Sequence, residues 1–129
     1  MAKPQVILLL DSGALIAVGK DRKVESIIRR WREEDAQFVL ATPSLAEAIR
    51  GGPRDAAANR LISAIDRVVA TTETIARRAG MWLGDLQSDQ TLDAIIAATA
   101  HASRATDILT SDPYDMQRFA GNAINIHPL

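Results

Sequence analysis

Val6-Ile7-Leu8-Leu9-Leu10-Asp11-Ser12-Gly13 is the stretch that decides the fold. Its continuous apolar run leaves no polar face, the pattern of a strand covered on both sides at the centre of a parallel sheet. Asp11-Ser12-Gly13 then stops the strand with turn residues and puts a carboxylate at its carboxyl end. Beyond it, Ala14 to Val18 predicts a short apolar helix. From Val24 to Arg32, Val24, Ile27, Ile28 and Trp31 recur at helical spacing, with Glu25, Arg29, Arg30 and Arg32 on the other face. Gln37 to Ala41 predicts a second strand, and Thr42-Pro43 supplies an N-cap and a first-turn proline for a helix to Arg50. Gly51-Gly52-Pro53 breaks that helix. Ala56 to Ile65 resumes the helical pattern, Val68-Val69 is a short third strand, and Thr72 to Leu83 is a helix that Gly84 stops. Thr91 or Ser88 caps a long alanine-rich helix through Arg104, and Ile108 to Thr110 is a fourth strand. Asp112-Pro113 repeats the cap-then-proline start for a helix ending at Gly121, and Ala123 to Ile126 closes the chain as a fifth strand. Strands alternating with helices predict a three-layer α/β/α sandwich on a parallel five-stranded sheet.

A length of 129 residues, 47% hydrophobic and 24% charged, fits one domain spanning 1–129. The absence of cysteine excludes disulfides, thiolate zinc sites and a cysteine nucleophile, and suits a reducing cytoplasm. The run from Val6 to Leu10 is too short for a signal-peptide core or a membrane span, so the expectation is a cytoplasmic chain with no membrane partner. Gly19-Lys20 lacks the other residues of a phosphate-binding loop, and no Gly-x-Ser-x-Gly elbow occurs. A phosphoacceptor receiver domain would need paired acids after the first strand and a lysine after the fifth, where this chain has Asn125-Ile126-His127. His101 and His127, the only histidines, stand apart from the acidic motifs and read as structural.

Asp11, Glu47, Asp93 and Asp112 each fall where a predicted strand ends or a helix begins. In open parallel sheets, ligands sit beyond the carboxyl ends of the strands where the strand order reverses. Carboxylates converging there repel one another unless they are protonated or neutralised by a cation. Oxygen donors without cysteine select Mg2+, or Mn2+, and such a site suits phosphodiester hydrolysis by a metal-activated water. Singly, each acid has a plainer role: Asp112 as an N-cap, Asp11 as a turn residue, Asp93 as a complement to the helix dipole, Glu47 as solvated surface. Only their joint placement is informative. Net charge is −1, which by itself points to no nucleic-acid partner.

Around these acids, Asp89 reads as an exposed cap near a helix start, and Asp115 as a capping-box partner or a companion to metal-bound water. Thr110 and Ser111 are either strand-end polarity or hydrogen-bond donors to the carboxylates or a phosphate. Arg50 and Arg54, beside Gly51-Gly52-Pro53, read as solvated surface, with RNA phosphate as the competing assignment. The basic residues from Lys20 to Arg32 are followed by Glu33, Glu34 and Asp35 and interrupted by Glu25, the pattern of a solvated face. Aromatic content of 4% leaves little for base stacking, and Trp31 and Trp82 fall at core-facing spacings.

Leu10-Asp11-Ser12-Gly13-Ala14-Leu15, Pro43 to Glu47, Asp93-Ala94-Ile95-Ile96-Ala97-Ala98 and Thr110-Ser111-Asp112-Pro113-Tyr114-Asp115 resemble, in order, the four motifs of PIN domains, especially VapC-type toxins. The resemblance implies strand order 3-2-1-4-5 and a Mg2+-dependent endoribonuclease acting as the toxin of a type II toxin-antitoxin pair. It implies Asp11 and Asp93 as direct metal ligands, Glu47 and Asp112 completing the pocket, a homodimer, an RNA substrate and a cognate antitoxin. Gly13 departs from the family, where Ser or Asn often orients the first acid, so Ser12 or backbone N–H groups are expected to take over. Met116 replaces the usual Phe. A binding module of the same fold, its acids receiving a partner's basic side chain, is the alternative.

Overall fold

β1 (Ile7–Leu10) lies between β2 (Gln37–Ala41) and β4 (Asp107–Thr110), pairing parallel with both. In the computed structural model, which describes residues 4–129, β3 (Arg67–Val69) and β5 (Asn125–Pro128) complete a parallel sheet of order β3-β2-β1-β4-β5. The register sets Leu9 opposite Val39 and Ile108, and Leu10 opposite Leu40 and Leu109.

Successive strand side chains point to opposite faces, so an unbroken apolar run feeds two cores at once. Leu9, Val39 and Ile108 pack with residues of α5 (Glu73–Leu86), α6 (Thr91–Ala102) and α7 (Pro113–Ala120), including Ile75, Ala97 and Met116. Leu8, Leu10, Phe38 and Leu40 pack with Leu15, Val24, Ile28 and Leu61 from α1 (Ser12–Ala17), α2 (Arg22–Glu33) and α4 (Ala56–Ser63). Leu8, Leu9 and Leu10 are each 0% exposed, which makes β1 the spine of the sandwich. On α6, Ala94, Ala97, Ala98 and Ala100 are buried, and their small side chains let the helix lie close to the sheet. No helix among the described residues is long and apolar enough to cross a membrane.

Several boundaries differ from the sequence reading for local reasons. Gly84 sits inside α5, which a helix tolerates at a cost of about 1 kcal/mol, and the stop comes at Gln87, left-handed at φ 50°. The Ser88 N–H then closes the turn on the Leu83 carbonyl at 2.9 Å. Thr42 is the first residue of α3 (Thr42–Ala48) rather than its cap, and Ala41 in the cap position makes no side-chain bond. β5 runs from Asn125 instead of Ala123 because Ile124 turns into the core and the ladder with β4 begins one residue later. A 3-10 turn, Pro53–Asp55, joins α3 to α4, with Gly51 and Gly52 at φ 89° and 90°, values that side-chain-bearing residues rarely adopt.

Leu9→Ala opens a cavity under both neighbouring strands and is expected to cost about 2–5 kcal/mol of stability, read as a lower denaturant midpoint with an unchanged m-value. A loss below about 1 kcal/mol would mean that the β1 core is not packed as described.

Candidate metal centre

Asp11 leaves β1 with its backbone N–H still donating to the Leu109 carbonyl of β4, at 3.0 Å. The strand pairing therefore delivers this carboxylate, 4% exposed, to the rim of β4. One of its oxygens accepts the Ser12 N–H at 2.7 Å, and the other accepts the Thr110 hydroxyl at 2.7 Å. The Thr110 hydroxyl in turn accepts the Asp112 N–H at 3.0 Å. One fully buried hydroxyl thus ties the first acid to the backbone of the last. Hydrogen bonds of this kind to a charged group are worth about 1.5–3 kcal/mol and fix its orientation.

Gly13 is explained by the same corner. A Cβ added there would stand 2.6 Å from Ser111 Oγ and 3.1 Å from a Leu129 methyl carbon, so a larger residue has no room. The Ser12 backbone N–H holds Asp11 as expected, while the Ser12 hydroxyl is a distant partner at 3.4 Å. Thr110, left open between two roles in the sequence, is the side chain that takes over.

Glu47 comes from α3, which follows β2, and Asp93 from the first turn of α6. Asp112 precedes α7, but its side chain makes no capping bond there. The N–H that a capping box would give to Asp115 goes to Thr110 instead. Carboxylate oxygens of Asp93, Asp112 and Asp115 lie within 4.8 Å of one another. Asp93 is pushed up to about 6, first by burial and then by the negative charges of Asp11, Asp112, Asp115 and Glu47, in that order. The other three acids singled out in the sequence, Asp11, Asp112 and Glu47, thus all act on Asp93, Glu47 the least, while only Asp112 joins it in the close cluster. Asp112 is also raised, foremost by the hydrogen-bonding approach of the Asp115 carboxyl and next by desolvation. Asp89 is exposed and not among the charges acting on Asp93.

Gln90 is a participant that sequence reasoning missed. Its Nε2 donates to Asp115 at 3.0 Å, while its Oε1 is buried without a partner among the described residues. The only signal in the sequence was its position one turn before Asp93, which many surface glutamines share. His101 and His127 bond to the Ala120 carbonyl and to Asp107, away from the acids.

The donor set fits a hard divalent cation. Asp93, Asp112 and Asp115 crowd together with one flanking cation in ion-pair range among the described residues, Arg118 at 3.9 Å from Asp115, and the Gln90 oxygen stands by as a buried acceptor. Mg2+ and Mn2+ take such oxygen donors and neutralise charge that the protein leaves uncompensated.

A family model described as PIN domain matches residues 8–122. No curated protein sequence matches the chain. Among solved structures, the chain is similar in fold to VapBC2 from Rickettsia felis bound to a promoter DNA fragment, at TM-score 0.70 and 12% identity, covering 96% of this chain and 99% of that one. A toxin-antitoxin complex from Klebsiella pneumoniae gives TM-score 0.67 and 23% identity, covering 88% and 91%. VapC20 of Mycobacterium tuberculosis, a Sarcin-Ricin loop cleaving toxin, gives TM-score 0.58 and 20% identity, covering 78% and 86%.

A carboxyl whose pKa is higher folded than unfolded binds more protons in the folded state between the two values. Stability without metal should therefore fall as pH rises from about 4 through about 6. Metal-free chain is expected to melt lower at about pH 7.5 than at about pH 5, and Asp93→Asn to shrink that gap. Millimolar Mg2+ or Mn2+ should raise the melting temperature of the native chain and leave the variant nearly unmoved. Identical melting of both proteins with and without metal would count against the centre.

Proposed function

The chain belongs to the PIN domain family, and on that footing we propose that it is a Mg2+-dependent endoribonuclease, the toxin of a type II toxin-antitoxin pair. The observation that carries this reading is the cluster of Asp93, Asp112 and Asp115, whose carboxylate oxygens lie within 4.8 Å of one another, with Asp11 and Glu47 outside that cluster but near enough that burial and then these negative charges raise Asp93 to about 6. Without a cation this arrangement is self-repelling, and surrounding structure that holds it together implies a cationic ligand.

Asp11 and Asp93 would hold the metal directly, with Glu47 and Asp112 completing the pocket and Asp115 within reach as a further oxygen donor. When bound, Mg2+ or Mn2+ supplies Lewis acidity toward a phosphoryl oxygen and toward the attacking water. The chain's own part is positional. Thr110 keeps one Asp11 oxygen turned inward, and Gln90 steers Asp115 from the start of α6. Cleavage by such a centre leaves a 5′-phosphate and a 3′-hydroxyl.

The toxin role draws on the described roles of the similar structures, a toxin-antitoxin complex and a Sarcin-Ricin loop cleaving toxin among them. In this proposal the protein works in the cytoplasm as a homodimer, and a cognate antitoxin silences it by placing a basic side chain among the acids. The electrostatics favour that device, because a cation in the pocket relieves the same repulsion that a metal does.

With Mn2+ or Mg2+, purified protein is expected to cut structured RNA, and Asp11→Asn or Asp93→Asn to lower the rate on the order of 100-fold or more. Thr110→Val, which leaves every ligand in place, should weaken apparent metal affinity about 10- to 100-fold. Overexpression should arrest growth, with rescue by a small co-expressed partner. Native chain and Asp93→Asn that are equally inert on RNA, yet bind a basic peptide equally well, would favour a PIN-fold binding module instead.

A further inference from the structure

A second feature adjoins the acids and carries the opposite charge. A cavity of about 320 Å3 opens between the end of α1 and the α3–α4 turn, with Glu47 in one wall and Lys20, Arg50 and Arg54 around it. The side chains of Lys20 and Arg54 take part in no hydrogen bond or ion pair among the described residues, and the Arg50 guanidinium donates only to the Ala46 and Ile49 carbonyls, at 2.8 and 3.1 Å. Asp55 also lines the cavity, but its carboxylate is engaged by backbone. It accepts the Arg50 N–H at 3.2 Å and the Gly51 N–H at 2.6 Å, and lies buried at 5% exposure.

The cleft is also held in shape. Gly51 and Gly52 have positive φ, and Asp55 ties the turn they form back to the end of α3. At the other lip, Gly19 has φ 85° and approaches so closely that an added Cβ would stand 2.4 Å from the Ala57 Cβ. That approach fixes the end of α1, and Lys20 with it, against α4.

We propose that this cleft is a phosphate subsite, binding the RNA backbone one or more nucleotides away from the bond that is cut; it rests on the ribonuclease reading. An acidic centre fit for a cation, flanked by unpaired cations, matches a polyanion that brings one phosphate to the metal and others to the arginines. Guanidinium groups pair with phosphate oxygens in a fixed fork, and such contacts set the position of a strand without reading its bases.

The test measures binding of a fluorescent single-stranded RNA oligonucleotide to the Asp93→Asn chain in EDTA, which removes both cleavage and metal bridging. Lys20→Ala with Arg54→Ala should lower the slope of log affinity against log salt by about 1.4, and weaken binding ~25-fold at about 0.1 M salt by the same slope. Arg77→Ala, on the far helix α5 and paired with Glu73, should change neither. In the otherwise native chain with Mn2+, the double variant should raise KM and keep kcat. An unchanged slope and KM, with the variant still melting like the native chain, would overturn the subsite. So would an acidic peptide that competes as well as RNA. RNA binding that depends on Lys20 and Arg54 in a chain that cuts nothing with Mn2+ would instead overturn the ribonuclease reading and leave the subsite standing.

Discussion

The pairing of β1 with β4 is the constraint on which the rest of the molecule depends. It sets two loops side by side, and the Asp11 N–H continues the ladder onto Leu109 for one step past the strand. That step aims the Asp11 carboxylate at Thr110, whose hydroxyl donates to it while accepting the Asp112 N–H. The order β3-β2-β1-β4-β5 puts the reversal of the sheet between these two strands, where the following helices diverge and leave a crevice. Asp112 is held there by Thr110, and Glu47, Asp93 and Asp115 are placed by the helices α3, α6 and α7.

Holding carboxylates together opposes folding, and the scaffold is built to bear it. Three consecutive leucines of β1 are wholly buried between two helical layers, and α6 presents alanines to the sheet over most of its length. Small side chains there bring the helix axis close to the strands, which is what carries Asp93 near to Asp11. A bulkier α6 would move Asp93 outward and relieve the repulsion, at the expense of the site. The Gln90–Asp115 bond makes the same choice, restraining a charge where solvent would otherwise disperse it.

Much of this was legible in the residues, and the division is physical. The β1 run could be read because a strand covered on both faces has no alternation to obscure it, and its order beside β4 followed from the resemblance. Positions of the acids could be read because each stands at a strand end or helix start. Geometry within the corner could not. Whether Asp115 closes a capping box depends on which acceptor wins the Asp112 N–H, and Thr110, itself bonded to Asp11 99 residues away in sequence, wins it. Gly13 looked like a missing hydrogen bond, while the structure shows a space already filled by Ser111 and Leu129. Gln90 carried no pattern at all, since a single amide becomes informative only when its partner is known. Gly84 misled because a helix buried along one face tolerates glycine on the other; it is exposed.

Net charge is the quantity that sequence averaging hides most completely. A total of −1 describes a nearly neutral chain, yet the acids gather at one point and Lys20, Arg50 and Arg54 line the cleft beside it. Charges separated by less than the Debye length, about 8 Å at physiological salt, act on a ligand as a pattern, and their sum matters little. A cation and a polyanion binding together satisfy both halves of such a pattern, whereas either alone leaves one half facing its own sign. On the proposed ribonuclease reading, metal and RNA therefore strengthen each other's binding, a coupling that follows from where the chain folds its charges rather than from how many it has.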